Sequence, residues 1–474
     1  MPLTNVLLIS TFPFLTQKPT GAAAYNLRHM AYLAEQGHRC LMVCPLTDGS
    51  RAEALATLRD QHVQVTSQEQ RGFVIDHFTH GHLQVQAITD CTRWWIRIAM
   101  LPWIWVRGHL GVQSSIPRHL KSFREIVQAI VRHGGTAQQR FSIMVMWLGW
   151  HLAEHVILRL IPELQRTIQA FSPAYVFVDA HTHLLDMVMS CMSDVQKRGG
   201  GKIIPVVNFS NLLPFGPMAL FSAEQSYFKT ACVQQLYARV DGYLVVSNYL
   251  KTYLDTWGGM QLDARVVYPR VETPKQHDVD HQRSPHRGFI TLINACNEKG
   301  LPIFLALAQR LPHVPFAAVM PWGSLRGQQR KLLQQLPNVQ ILKAMSPVDP
   351  IYDLTRILLV PSLWDEAFGM VVIEAMLRGI PVLASQVGGL PEAKLGLDYV
   401  LPVQPFSSAH DYAKTLPHDI DPWLNALEAL LASPAHYQAL SRASQEAALA
   451  FIAQVNTISW VDAFEPRADR VPPG

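Results

Sequence analysis

Residues 361–385 read PSLWDEAFGMVVIEAMLRGIPVLAS and follow directly on the apolar run Ile357–Val360. Pro361 brings no N–H to a sheet ladder, so the run ends there as a strand. A loop carrying Asp365 and Glu366 comes next, and Gly369 opens a helical stretch that ends near Gly379. Pro381 then starts a second apolar run, Val382–Ala384. Strand, loop, helix and strand in that order make a βαβ unit, which belongs to a parallel sheet. Ligands of such sheets bind beyond the carboxyl ends of the strands, so the loops after each apolar run are the ones to read for function.

The same rhythm extends outward. Upstream lie apolar runs at Phe289–Ile293, Phe316–Met320 and Val339–Leu342, with a helical stretch Pro302–Arg310 between the first two. The amino end repeats it with Val6–Ile9, a loop to Gly21, a helical Ala22–Gln36, Gly37 and Cys40–Val43. Residues 73–88 alternate about Gly81 like a β-hairpin, and strand patterns return at Tyr175–Val178, Ile203–Val207 and Gly242–Val246. The polar, proline-bearing stretch Asp263–Arg287 reads as a linker. The expectation is an α/β chain of two doubly wound, Rossmann-like domains, 1–265 and 266–454, facing a cleft. A Trp-rich helical insertion over about 90–170 interrupts the first domain. A final helical run, about Pro434–Phe464, leads back toward that domain, which a C-terminal helix over about 455–474 would complete.

Composition narrows the function classes. Of 474 residues 49% are hydrophobic and 16% charged, so a large core is expected. The net charge of +4 is scattered and leaves no nucleic-acid footprint. Six cysteines without a CxxC pair fit reduced thiols, and the N-terminus reads as a strand with no basic leader. A cytoplasmic location is therefore expected. Trp94–Val106 is too short to span a bilayer, which needs about 20 apolar residues, and Arg97 and Pro102 interrupt it. Phe141–Ile161 is long enough, but His151, Glu154, His155 and Arg159 place a polar stripe along it. Asp278-Val279-Asp280 lies in the linker without a ligand cluster, and the His181–His183 spacing is not that of a helical zinc site. No metal is expected. No GxGxxG follows a strand, which disfavours a dehydrogenase.

The helix that begins at Gly369 directs the free N–H groups of Gly369, Met370 and Val371 into the crevice, a setting suited to phosphate. Glu366 precedes that helix and Glu374 lies about one and a half turns inside it. Beside a phosphate site, both are placed to accept hydrogen bonds from hydroxyls.

The run Glu366–Glu374 (EAFGMVVIE) resembles the E-x7-E element of the retaining glycosyltransferases of family 4, which have the GT-B fold. AMLRGIPVLAS, VGGLPEA (Val387–Ala393), NACNEKG (Asn294–Gly300), Gly21-Ala22 before a helix ending in EQGHR, VSNYLK (Val246–Lys251) and YPRVE fit the same family in its usual order. The resemblance is strongest over 289–395 and absent over 50–170. It implies transfer of a sugar from a nucleotide-diphosphate sugar, UDP- or GDP-linked, with retention of anomeric configuration and with neither cofactor nor metal. Lys299 would neutralise the diphosphate, the backbone of Phe368, Gly369, Met370 and Val371 would cradle it, Glu374 would hold the ribose and Glu366 the sugar hydroxyls. The family's arginine is Asn294 here, and Arg270 is the candidate substitute. His181 takes the family's crevice histidine position, with Asp179 as runner-up. Gly21, Ala22, His183 and Asn211 (in NFSNLLPFGP) are placed on the acceptor side. The acceptor itself, a small molecule, glycan or lipid-linked sugar, is not specified. Trp beside Arg in WWIRIAMLPWIWV leaves a peripheral membrane contact open. The rival readings are a sugar phosphorylase, an inverting transferase and a catalytically silent binding subunit.

Overall fold

The computed structural model describes residues 3–12, 21–46, 48–70, 73–90, 160–197, 200–219, 230–259, 262–274, 287–320, 327–345, 347–407 and 417–465. Among the described residues the strands form two sheets, one on each side of the linker. The first contains β1 (Asn5–Ile9), β2 (Arg39–Leu46), β3 (Thr66–Gln70), β4 (Phe73–His80), β5 (Leu83–Asp90), β6 (Tyr175–Asp179), β7 (Lys202–Val207), β8 (Tyr243–Val245) and β9 (Ala264–Val266). Their order across the sheet is β3-β4-β5-β2-β1-β6-β7-β8-β9. All neighbours are parallel except β3–β4 and β4–β5, the latter being the hairpin that the alternation about Gly81 predicts.

The second sheet contains β10 (Phe289–Leu292), β11 (Phe316–Val319), β12 (Val339–Leu342), β13 (Thr355–Val360), β14 (Val382–Ser385) and β15 (Val400–Leu401). It is parallel throughout, in the order β12-β11-β10-β13-β14-β15. Counted in chain order, that is the doubly wound 3-2-1-4-5-6 arrangement. Each sheet reverses direction once beside its first strand, between β1 and β6 and between β10 and β13. In the register Val6 pairs with Tyr175 and Leu292 with Leu359. Every residue of β6, β13 and β14 is buried, as strands covered on both faces must be.

The helices are α1 (Gly21–Glu35), α2 (Asp48–Asp60), α3 (Thr182–Lys197), α4 (Thr230–Ala238), α5 (Asn248–Trp257), α6 (Leu301–Arg310), α7 (Gly327–Gln334), α8 (Asp349–Leu354), α9 (Met370–Leu377), α10 (Leu390–Ala393), α11 (Asp421–Ala432) and α12 (Pro434–Val455). Residues 160–171 are also helical. One apolar cluster runs from the first sheet through α1 to α9 and one face of the second sheet, so the two halves share a core. A second cluster, with Phe304, Phe316, Trp423 and Tyr437, fills the other face of the second sheet.

Two expectations are corrected or left aside. The last helix ends at Val455 and not near Phe464, and residues 456–465 form turns instead of the helix expected from 455 onward. Those turns pack on the first sheet. Trp460 is fully buried against His29, Tyr25 and Phe177 at ring-centroid distances of 5.3, 5.5 and 4.8 Å, and its indole donates to Tyr25 Oη at 3.2 Å. Of the Trp-rich insertion, residues 91–159 lie outside the described residues, as do Asp278 and Asp280. Among the described residues no helix is long and apolar enough to cross a membrane.

Candidate active site

Both reversal points bring chemistry to the same seam. After β10 the chain turns through Asn294, whose φ of +61° is one that asparagine tolerates better than an arginine would. It continues to Lys299 and Gly300, the N-cap of α6. Gly300 has φ +83°, and a Cβ there would overlap the Pro361 carbonyl. This close approach seats Lys299 against the loop after β13. Lys299 Nζ lies 2.5 Å from Glu366 Oε1 and 4.5 Å from the centre of the Trp364 ring. Ser362 Oγ donates to the same Glu366 oxygen at 2.7 Å. Burial alone would raise the Glu366 pKa. The Lys299 charge, with hydrogen bonds from Lys299, Ser362 and Trp364, outweighs it and leaves the carboxyl below its ordinary value. Glu366 is therefore an ionised acceptor at neutral pH, not a proton donor.

The backbone under Glu366 is held from below by the VGG loop. Gly389 N–H donates to Glu366 O at 2.7 Å, and Gly388, at φ +59°, leaves no room for a Cβ beside the Glu366 backbone. Gly369, with φ +99°, is the N-cap of α9 and supplies no side-chain cap. The first turn of α9 carries no acidic residue, so its N–H groups at Met370 and Val371 stay available to an anion. Gly21, the first residue of α1, faces Met370: a Cβ built there would sit 4.0 Å from Met370 Sδ. Two helix amino ends thus meet at the seam, one from each half. Phe368, just before Gly369, is buried, packed against Tyr268 and Phe451.

Glu374 lies one turn into α9. Tyr352 Oη donates to its Oε2 at 2.9 Å, and Arg28 Nη1, from α1, stands 3.9 Å from its Oε1. Burial raises its pKa, against the opposing pull of Arg28, Tyr352 and Arg378. Arg28 went unread in the sequence, although it lies seven residues, two turns, beyond Gly21 on the same helix face. It is this arginine that reaches the one acid of α9, Glu374. Arg270 stacks over the Tyr32 ring at 3.4 Å and donates to Ile458 O at 3.4 Å. Its guanidinium is engaged with α1 and the C-terminal turns.

On the first sheet, Asp179 ends β6 and is fully buried. It accepts from Ser10 Oγ (2.8 Å), Thr11 N (2.7 Å) and Asn26 Nδ2 (2.9 Å), with Asn208 Nδ2 at 3.3 Å. Burial raises its pKa. Both oxygens are occupied in tying together the carboxyl ends of β1, β6 and β7, so Asp179 is a scaffold residue. His181 follows it, and burial lowers its pKa, which keeps the ring neutral. His183 lies in the first turn of α3, and Ala22 is buried in the first turn of α1. Asn211 belongs to the single helical turn Ser210–Leu212, and its Oδ1 is buried without a partner. Phe12, Phe209 and Trp364 form an aromatic row across the seam, with centroids 6.2 and 6.3 Å apart. The row ends where Lys299 sits on Trp364.

Further residues at the seam went unread as site residues. Asp365 is buried and accepts from Ser210 Oγ and, at 3.1 Å, Tyr249 Oη. Burial pushes it up to about 6. Glu392, in the VGGLPEA loop, accepts from Asn248 N at 3.0 Å and Tyr249 N at 3.2 Å at the start of α5. Their signal was present in VSNYLK and VGGLPEA, but nothing in either motif says that the two meet. A cavity of about 810 Å³ lined by Arg39, His62, His77, Gln84 and Phe171 opens at the amino ends of β2 and β5, the opposite end from these loops. Among the described residues no group of three or more His, Cys, Asp or Glu is placed to hold a metal.

Comparison with known proteins bears on the fold and on residues 285–416. The family model "Glycosyl transferases group 1" matches residues 285–416. An uncharacterized 42.6 kDa protein in the cps region of Klebsiella pneumoniae is 30% identical over 154 residues, 32% of this chain and 40% of that protein. The D-inositol 3-phosphate glycosyltransferase of Mycobacterium marinum is 35% identical over 206 residues, 39% of this chain and 41% of that protein. The chain thus spans about two-fifths of the length of these relatives. Among solved structures, sucrose-phosphate synthase from Thermosynechococcus elongatus superposes with TM-score 0.58 at 16% identity, covering 95% of this chain and 97% of that one. Anabaena HepE in complex with UDP and glucose gives 0.57 at 15%, covering 96% and 97%. Staphylococcus aureus TarM gives 0.56 at 8%, covering 98% and 100%. At such identities the structural likeness carries the fold alone. Residues 285–416 thus match the group 1 glycosyltransferase model, and the fold of the whole chain is the GT-B fold.

Proposed function

We propose that this protein transfers a sugar from a nucleotide-diphosphate sugar to an acceptor hydroxyl with retention of anomeric configuration. Residues 266–454 bind the donor and residues 1–265 the acceptor. The observation that carries the reading is the Lys299–Glu366 pair standing beside the uncapped amino end of α9, with the α1 amino end across the seam. An ammonium and helix N–H groups converge there where a leaving diphosphate gathers negative charge, and stabilising developing charge is often the largest catalytic term. The donor is UDP- or GDP-linked. UDP comes first because HepE and TarM were each crystallised with it.

In this scheme Lys299 neutralises the diphosphate together with the backbone of Gly369, Met370 and Val371. Glu366, kept ionised, accepts from the sugar hydroxyls, and Glu374 accepts from the ribose. Arg28, which stands 3.9 Å from Glu374, is the cation that the first half brings to the ribose side. The bond from the anomeric carbon to the phosphate oxygen breaks and the bond to the acceptor oxygen forms on the same face. The acceptor's proton passes to the departing phosphate oxygen, so neither a protein nucleophile nor a metal is required. His181, neutral, lines the acceptor side with Gly21, Ala22, His183 and Asn211. The aromatic row Phe12–Phe209–Trp364 suits the apolar face of a sugar or cyclitol ring.

The test is turnover of UDP- and GDP-sugars by the purified chain, with the anomeric configuration of the product read by NMR. Lys299→Ala is expected to lower kcat on the order of 10²-fold. Near-normal transfer by that variant would show that the diphosphate lies elsewhere. An inverted product, or phosphate acting as the acceptor, would move the chain to one of the rival reactions.

A further inference from the structure

Tyr249, the second residue of α5, touches both loops that hold Glu366 in place. Its Oη donates to Asp365 Oδ2 at 3.1 Å, and its backbone N–H donates to Glu392 Oε2 at 3.2 Å. Neighbours reinforce both contacts. Ser210 Oγ donates to the same Asp365 oxygen. Asn248 donates to Glu392 Oε1 through its backbone N–H at 3.0 Å and its side-chain amide at 2.7 Å. Ser247 caps α5 by accepting from Leu250 N and also donates through its hydroxyl to Ala367 O at 2.5 Å. Residues 365, 367 and 392 all belong to the second half, and every one of these donors belongs to the first.

Glu366 lies between the clasped positions. Its neighbours in sequence on both sides, Asp365 and Ala367, are held across the seam, and its own carbonyl accepts from Gly389 N–H in the loop that leads to Glu392. A shift of this frame therefore carries Glu366 away from Lys299 and Ser362, which are anchored within the second half alone. Tyr249 is the residue that spans both clasped points, through side chain to one and backbone to the other.

We propose that Tyr249 is a positioning residue that fixes the direction of the Glu366 carboxylate and makes it depend on the two halves being seated together. The proposal rests on the role given to Glu366 above. Because the Tyr249 hydroxyl donates to Asp365, the residue before Glu366, its loss is expected to act on the geometry of the chemical step and not on nucleotide binding.

The experiment uses the full chain with whichever UDP- or GDP-sugar the wild type turns over, and compares wild type, Tyr249→Phe, Ser210→Ala and Asp365→Asn. For Tyr249→Phe, kcat is expected to fall about 10-fold or more, since misplacement by about 1 Å can cost 10²-fold. The donor KM and the Kd for free UDP or GDP should stay within about twofold, and the melting temperature should change little. Ser210→Ala should show the same split. Asp365→Asn keeps an oxygen for both hydroxyls and should retain most of the wild-type kcat. Unchanged kcat in both Tyr249→Phe and Ser210→Ala overturns the proposal. So does a fall in kcat matched by equal losses in nucleotide affinity and melting temperature, which would mark a purely structural contact. A wild type that binds nucleotide but transfers no sugar overturns the proposed activity itself, and is told apart because it appears before any variant is made.

Discussion

Lys394 illustrates how a single buried residue can set a measurable property without touching the chemistry. It is fully buried in the turn after the VGG loop, and its ammonium donates to Val382 O at 2.7 Å. Burial pushes its pKa down to about 8, with Asp398 opposing. In the unfolded chain the same lysine keeps its ordinary value, about 10.4. The unfolded state thus binds more protons between those values, so the contribution of Lys394 to stability is worst below pH 8 and improves as pH rises toward 10.4. Replacement by methionine should raise the midpoint of urea unfolding at pH 7 and flatten the wild-type rise in stability between pH 8 and 10, a term on the order of 3 kcal/mol. At the same scale the placement of Glu366 before α9 and of Glu374 within it was legible in the sequence, because residues at fixed spacing about a glycine-opened helix constrain their own placement. The contacts of Arg270 were not legible, because a long flexible cation goes where its neighbours allow. The Tyr32 ring and the Ile458 carbonyl, which capture it, come from segments far away in the chain.

Elements that carry a full apolar period were read close to their observed bounds, as with β6, β7, β10, β12 and β14. β3 (TSQEQ) escaped because it is an edge strand with almost every residue exposed, so no burial pattern marks it. The end of α12 was placed too far along, since AFIAQVNTISWVDAF stays apolar past the point where the backbone leaves the helix at Asn456. Apolar content reports burial, and here the burial is against the first sheet. The glycine-rich turn between β14 and α10 was recognised as a motif, but its purpose is packing. Gly388 has positive φ and lies directly against the backbone of Asp365 and Glu366. Gly388→Ala is expected to cost about 1–3 kcal/mol in strain and to lower kcat by displacing the Glu366 loop. Circular dichroism melting together with steady-state rates would check both, and a variant that matches wild type in rate and stability would show that the turn has slack.

For the whole molecule, two doubly wound sheets were predictable from alternating runs of strand and helix. The way they close on each other was not. Contacts between the halves come from Arg28, Ser210, Ser247, Asn248 and Tyr249, residues whose partners are more than a hundred positions away. The C-terminal turns add another such contact through Trp460, which is enclosed by Tyr25, His29 and Phe177. Trp460→Ala should destabilise the protein by about 3–5 kcal/mol, as large-to-small changes at buried aromatics do, and chemical denaturation would measure it. A loss below about 1 kcal/mol would show that these turns are only loosely attached.

The chain passes from the first half to the second between β9 and β10, and comes back after Val455 to lodge Trp460 under α1. The return crossing is therefore anchored by a buried ring, since Trp460 is enclosed by residues of the first half. Prising the halves apart would then mean drawing that indole out of the first sheet's core.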